Sequence, residues 1–336
     1  MQGVSAGLVN AGLYSDGPRL LADVGGTNAR FALEAASGQF ESVIVLPCAA
    51  YASLAEAMRA YLAQVAEGKT SLAIRHAAIA IANPVDGDWV QMTNHHWAFS
   101  VAELKKEMGF STLLVVNDFT ALARALPHLA PEQKQQVGGG VARAGGVLGL
   151  IGAGTGLGVS GMVPAGRHWI ALQSEGGHVT FAPSNEREVA ILRFAWQEFE
   201  HVSAERLLSG VGLELIYRAL AAIDGVASEN LSAPEISRRA QAGECAICDE
   251  TIEVFCAMLG TIAGNIAITL GTVGGLYIGG GIVPRLGERF FQSSFRKRFE
   301  QKGRFSSYLA QVPTFVITAQ YPAFLGVSAM LAEELE

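Results

Sequence analysis

The chain is 336 residues long and carries 24 Lys and Arg against 31 Asp and Glu, a formal charge of −7. Charged residues make up 16% and hydrophobic residues 50%, against roughly 25% charged in an average soluble domain, so much of the sequence must be buried, and at about 150 residues per domain the length allows two cores. The acidic balance, without a Lys/Arg run, argues against a nucleic-acid partner; four cysteines (Cys48, Cys245, Cys248, Cys256) are too few for a disulfide scaffold, and the N-terminus lacks the basic and apolar regions of a signal peptide, so a reduced, cytoplasmic protein with a loose leader over residues 1–18 is expected.

Arg19 to Val24 is a short apolar run feeding a glycine turn, and the stretches 29–35 and 42–46 follow with strand character, so the opening reads as a three-strand meander. Leu54, Met58, Tyr61, Leu62 and Val65 have helical spacing. His76 to Ala82 reads as a buried strand, and Ser100 with Glu103 forms a capping box for a helix ending near Gly109. Leu113 to Val116 is a strand that delivers Asn117 and Asp118 at its C-terminal end. A glycine-rich, flexible segment from Gly138 to Gly146 leads into a strand from Val147 to Ile151; a second strand to Val163 and a third from His168 to Leu172 follow. The strand, glycine turn, strand pattern thus occurs twice, and 23–27 aligns with 152–156 as a weak internal repeat. Helical patterns dominate 185–270, strands are expected at Leu276 to Gly279 and Thr314 to Thr318, and a closing helix begins at Pro322.

From Val254 to Pro284 there is no charged residue, and Gly260 with Gly264 makes a GxxxG, a pattern a membrane span would share. The stretch also holds eight glycines, Thr261, Asn265, Thr269 and Thr272, and its flanks lack clustered Lys or Arg. A buried helix turning through Gly274 and Gly275 into a buried strand accounts for it better.

Glycine turns between strands expose consecutive backbone N–H groups that suit phosphate oxygens. Two such turns in related positions can grip two parts of one polyphosphate, although either alone also reads as a plain hairpin. A P-loop is excluded, because Gly68-Lys69-Thr70 has Ala63 where the motif needs glycine and no strand before it. The GxGxxG at Gly156, Gly158 and Gly161 is followed by a strand where a dinucleotide site needs a helix. Asp23 ends an apolar strand, a costly place for an unpaired carboxylate; it is either a Mg²⁺ ligand, direct or through water, or a carboxylate satisfied by the turn amides of residues 25–28. Asp118 is either a general base accepting the proton of an attacking hydroxyl or the N-cap of the helix that begins at Phe119. Glu175, Gly176, Gly177 and His178 set an acid and an imidazole around a glycine pair, groups that suit sugar hydroxyls and equally a surface loop. Glu205 reads as an early helix residue after a Ser203 cap. Cys245 and Cys248 have metal-ligand spacing but no second pair or nearby His pair, and buried reduced thiols are the simpler account. Asn94, His95, His96 and Trp97 read as a packed loop.

Taken in order, Asp23-Val24-Gly25-Gly26-Thr27-Asn28-Ala29-Arg30, Asn117-Asp118-Phe119-Thr120, the run Gly152 to Gly158, Glu175 to His178, His201 to Arg206 and Gly279 to Pro284 make the chain resemble the bacterial glucokinases from about Leu20 to Leu331. No zinc-binding CxCGxxGC segment of the ROK sugar kinases follows His178, so the resemblance is to the zinc-free group. It implies an α/β actin-like ATPase (ribonuclease H-like) fold in two domains with a cleft between them: 19–127 plus 319–336 as the small domain and 128–318 as the large one. It further implies that Ala22, Asp23, Val24, Gly25, Gly26, Thr27 and Asn28 form a first phosphate loop, that Gly152, Gly154, Thr155 and Gly156 form a second, and that Gly279, Gly280 and Gly281 line the adenosine side. Asn117, Asp118, Glu175, His178 and Glu205 would hold glucose, with Asp118 as the catalytic base, Asp23 on Mg²⁺ through water, ATP as donor and a homodimer as the assembly. A nucleotide-binding sensor without turnover and an NAD-dependent oxidoreductase are the competing classes; retention of Asp118 beside the sugar-type residues favours the kinase.

Overall fold

The structure, a computed structural model, describes residues 13–67, 73–93, 95–166 and 168–336. Gly68, Lys69, Thr70 and Asn94, named above, lie outside the described residues, as does the leader before residue 13. The chain divides into two compact units: the described residues up to His128 together with Tyr321–Glu336, and Leu129–Gln320.

In the first unit, β1 (Arg19–Val24), β2 (Asn28–Ala36) and β3 (Gln39–Pro47) form the antiparallel meander, with α1 (Leu54–Ala66) after it. β4 (His76–Ile81) pairs parallel to β1, a small hairpin of β5 (Trp89–Gln91) and β6 (Ala98–Ser100) leads into α2 (Val101–Met108), and β7 (Thr112–Asn117) pairs parallel to β4 before α3 (Asp118–Ala125). The sheet order is β3-β2-β1-β4-β7. Because side chains alternate along a strand, Leu20, Ala22 and Val24 face a core with Phe31, Met58, Tyr61 and Ile79, while Leu21 joins Ala32, Ala78 and Ala80 on the opposite face. That second face is covered by α3 and the C-terminal helix Pro322–Leu335, through Ala121, Phe324, Val327 and Leu331. The two helices approach closely only because position 326 is glycine: a Cβ there would lie 1.7 Å from the Ala121 carbonyl oxygen.

Ser53 and Ser100 cap α1 and α2 by accepting the N–H groups of Glu56 and Glu103, and α2 ends on Gly109 at φ 72. The expectation of a loose leader fails over 14–18: the Tyr14 N–H donates to the Ala35 carbonyl, Arg19 lies over the Tyr14 ring at 3.7 Å, and Asp16 meets His76 at 2.9 Å. Burial of the Arg19 stem beside β2 gives that segment a surface to pack on.

The second unit holds β8 (Lys134–Val137), β9 (Leu148–Ala153), β10 (Leu157–Ala165) and β11 (His168–Ala171), then α4 (Glu186–Ala195), α5 (Ala204–Leu207), α6 (Gly210–Ile223), α7 (Ala233–Gln241) and α8 (Ala246–Leu270). β12 (Gly275–Gly279) follows, then α9 (Ile282–Leu286), α10 (Glu288–Phe291), α11 (Phe295–Glu300), α12 (Ser306–Gln311) and β13 (Thr314–Ile317). The sheet order is β11-β10-β9-β12-β13-β8. Its first five strands repeat the first unit's sheet, an antiparallel meander followed by two parallel strands. Asp23 lies opposite Arg30 and Gly152 opposite Gly158, so the two glycine turns join the corresponding strand pairs, the second turn being one residue shorter. β8, with its polar KQQV sequence, extends this sheet as an antiparallel edge strand and left no hydrophobic alternation to read.

The charge-free stretch is a core element. α8 is long and apolar enough to cross a membrane by length and composition, but it is mostly buried inside the protein, among Ile216, Leu220, Phe295 and Phe299. Gly260 and Gly264 admit the α11 backbone: added Cβ atoms would lie 2.3 Å from the Phe295 and 2.7 Å from the Phe299 carbonyl oxygens. The segment from Gly138 to Gly146, expected to be flexible, is tied down: the Val141 and Arg143 N–H groups donate to the carbonyls of Gln311 and Val273.

Candidate active site

In the first unit the candidate side chains gather at the C-terminal ends of the parallel strands β1, β4 and β7, the usual place for a ligand in an α/β sheet. Asp118 is not the cap of α3. That role falls to Asn117, whose Oδ1 accepts the N–H groups of Phe119 and Thr120 at 3.0 and 3.1 Å, leaving Asp118 in the first turn. Asp118 Oδ1 accepts from the Phe119 N–H at 2.9 Å and from Asn117 Nδ2 at 3.0 Å, and Oδ2 has no hydrogen-bond partner among the described residues. Burial pushes the carboxyl up to about 6, with the neighbouring Asp23 charge adding to the rise and the Phe119 amide opposing it. A carboxylate poised near neutrality, with one oxygen free, is equipped to take a proton.

Asp23 is also held above the ordinary carboxylate range by burial, against the pull of Arg30. Its partner is not the set of turn amides: Arg30 Nη1 donates to Oδ2 at 3.1 Å, because the β1–β2 register places the two residues opposite each other. Ala22 and Val24 are fully buried in the core, so of the expected phosphate loop it is the segment 25–28 that is free to meet a ligand. There the Gly25 N–H donates to the Asn28 carbonyl, the Thr27 carbonyl accepts from the Cys48 N–H, and Thr27 is exposed.

In the second unit the β9–β10 turn exposes Thr155 in the same way, with the Gly154 N–H bonded to the Gly156 carbonyl. The Gly210 N–H at the start of α6 donates to the Gly154 carbonyl, which brings a helix N-terminus to this turn. Gly279 pairs in parallel with Gly152, and Gly280, at φ 77, packs so close that a Cβ would lie 2.3 Å from the Ala153 carbonyl oxygen. The two glycine runs are therefore one surface, at the C-terminal ends of β9 and β12.

Glu175, His178 and Glu205 join the same surface. Residues 176–178 form a 3-10 turn seated on β10, where a Cβ on Gly177 would lie 2.0 Å from the Leu157 carbonyl oxygen. His178 lies 3.9 Å from Glu175 through Nε2 and 3.9 Å from Glu205 through Nδ1. Ser203 caps α5 as expected, and Glu205 Oε2 accepts the Leu157 N–H at 2.8 Å, anchoring Glu205 to the second glycine turn. Any side chain at Gly156 would strike that carboxylate, since a Cβ there would lie 2.4 Å from Oε2.

Two groups escaped the sequence reading. Arg30 carries no local signal of a role, and its pairing with Asp23 follows only from strand register. Asn83, at the end of β4, carries the carbonyl that accepts from Asn117 Nδ2 at 3.3 Å, while its own side chain holds Thr93. The His95–Trp97 segment is a packed loop: Trp97 is buried and its Nε1 donates to the Tyr51 carbonyl, and His95 stacks edgewise on its ring.

The sequence pattern of the glucokinase family matches residues 20–334. A protein of Paraburkholderia xenovorans named bifunctional protein glk is 60% identical over 97% of this chain and 50% of its own length, so the chain spans about half the length of the curated relatives of that kind. The glucokinase of Chromobacterium violaceum is 55% identical over 97% of this chain and 93% of its own. Among solved structures, a glucokinase from an Antarctic psychrotroph superposes with a TM-score of 0.86 at 39% identity, covering 95% of this chain and all of that one; a ROK family glucokinase from Streptomyces griseus, at 16% identity and a TM-score of 0.63, shares the fold. The fold is thus the actin-like ATPase fold, and the chain belongs to the glucokinase family.

Proposed function

We propose that this chain is an ATP-dependent glucokinase, transferring the γ-phosphoryl group of ATP to the 6-hydroxyl of glucose in the cytoplasm. The observation that carries the reading is Asp118: a carboxyl raised to about 6, fixed through Oδ1 and open at Oδ2. Asn117, Asp118, Glu175, His178 and Glu205 hold the sugar hydroxyls, with Glu175 and Glu205 as acceptors. As the 6-oxygen attacks the γ-phosphorus, Asp118 Oδ2 takes its proton and the bond to the ADP oxygen breaks. Within 25–28 and 154–156 the backbone amides of Gly26, Thr27, Thr155 and Gly156 meet the phosphate oxygens, where they stabilise developing charge without rearranging, and 279–281 lines the adenosine side.

Asp23 fits a Mg²⁺ brought by the nucleotide, because it offers a hard oxygen donor with Oδ1 uncommitted beside Arg30. No cluster of three or more potential His, Cys, Asp or Glu ligands exists among the described residues, so Asp23 would hold the ion through water with the phosphates supplying the remaining donors. When bound, the ion neutralises phosphate charge. We propose a homodimer as the assembly, which light scattering at micromolar protein concentration tests.

A coupled assay of ADP release over a panel of sugars and phosphoryl donors tests the function. ADP release that depends on both glucose and ATP is expected. ATP binding without sugar-dependent turnover would instead identify a sensor, and hydride transfer to a nicotinamide an oxidoreductase. Within the same assay Glu175→Gln is expected to raise KM for glucose about 10-fold with a smaller change in kcat, by weakening a charge-assisted hydrogen bond; an unchanged KM removes Glu175 from the sugar site.

A further inference from the structure

We propose that Cys245 and Cys248 form a reversible dithiol–disulfide site that exchanges with small-molecule disulfides. Cys245 is the N-cap of α8: its Sγ accepts the Cys248 N–H at 3.3 Å. A thiol is a weak acceptor, and Ser, Thr, Asp and Asn are the residues that cap best, so capping alone does not account for cysteine here. The i, i+3 spacing sets both cysteines on one turn at the start of α8, with Cys245 Sγ against the Cys248 amide, the spacing at which Cys-X-X-Cys pairs undergo exchange.

The two thiols differ in access. Cys245 is partly exposed among exposed Gly243, Glu244 and Ala246, while Cys248 is buried. Cys48 and Cys256 are both fully buried, Cys256 deep in the α8 core. The pair therefore has an entry residue and a resolving residue. The Cys245 thiolate attacks one sulfur of a disulfide such as oxidised glutathione; that S–S bond breaks and one glutathione thiolate leaves and takes up a proton. Cys248 then loses its proton and attacks Cys245 Sγ, which breaks the mixed disulfide and releases the second glutathione. Two protein thiols are oxidised and one glutathione disulfide is reduced to two thiols. Burial pushes the Cys248 thiol up to about 12, which slows the second step and lets the mixed disulfide on Cys245 be seen.

The test equilibrates the full chain with mixtures of oxidised and reduced glutathione, quenches with acid, alkylates, and cleaves after glutamate. Cuts after Glu244 and Glu250 isolate the peptide of residues 245–250 from Cys256. As the oxidised fraction rises, that peptide is expected to lose two hydrogens and both alkylation sites, and to regain them in reduced glutathione, while Cys48 and Cys256 stay reduced. Cys248→Ser is expected to stop at one glutathione on Cys245. Cys245→Ser keeps a capping oxygen, so its Tm is expected at or above wild type, with Cys248 unreacted. Two alkylatable thiols at every glutathione ratio, or a Cys245→Ser protein that is glutathionylated on Cys248, overturns the proposal.

Discussion

Asp118→Asn is expected to lower kcat on the order of 10²-fold or more, by removing the group that accepts the 6-hydroxyl proton, while leaving glucose binding and the circular dichroism spectrum close to wild type. The amide keeps an Oδ1 acceptor for the Phe119 N–H and Asn117 Nδ2 but has no basic lone pair for a proton. With the carboxyl raised to about 6, kcat/KM of the wild type is expected to fall as the pH drops through that value, and the limb should vanish in the variant. Stability should move the other way. A carboxyl whose folded-state value exceeds its unfolded value of roughly 3.9 binds its proton more tightly when folded. Its favourable contribution is therefore complete below the unfolded value and is lost as the pH rises through about 6. At pH 7.5 the ionised, buried group burdens the fold, so Asp118→Asn is expected to be as stable as wild type or more so, by up to ~2 kcal/mol. Near-wild-type turnover in the variant would sink the assignment of the base.

Gly326→Ala is expected to give the largest loss of stability. The added methyl would sit 1.7 Å from the Ala121 carbonyl oxygen, and neither helix can yield locally, because Ala121 and Phe324 are both fully buried on the same face of the sheet. Overpacking of this kind costs about 3 kcal/mol, which for a unit of this size lowers Tm by about 5–10 °C. Because Ala121 lies on the helix whose first turn carries Asp118, activity below the melting range should also fall. A variant with wild-type Tm and activity would show that the C-terminal helix is free to shift away from α3.

Strand and helix positions were largely legible because the signals are local. β1 and β4 are runs buried on both faces, α2 carries its Ser100 cap and Gly109 stop, and the meander repeats around equivalent glycine turns. What stayed ambiguous is also local: Asp118 preceding an apolar helix reads equally as a cap or a base, and nothing in the sequence says that Asn117 takes the capping role one residue earlier. β8 was missed because its polar residues sit at a sheet edge and gain their order from pairing with β13.

By itself the sequence determined the main strands and helices, the two glycine turns and the residue types of the site, since backbone freedom at glycine and hydrophobic periodicity act over a few residues. Tertiary structure alone decided who meets whom. The strand register gave Asp23 its Arg30 partner, and the end of β4 gave Asn117 the Asn83 carbonyl. A bond from Glu205 to the Leu157 amide joined two motifs 48 positions apart, and burial together with the Asp23 charge moved Asp118 toward neutrality. Each of these depends on distances between segments remote in the chain and on the water excluded when they pack, quantities that no local pattern encodes.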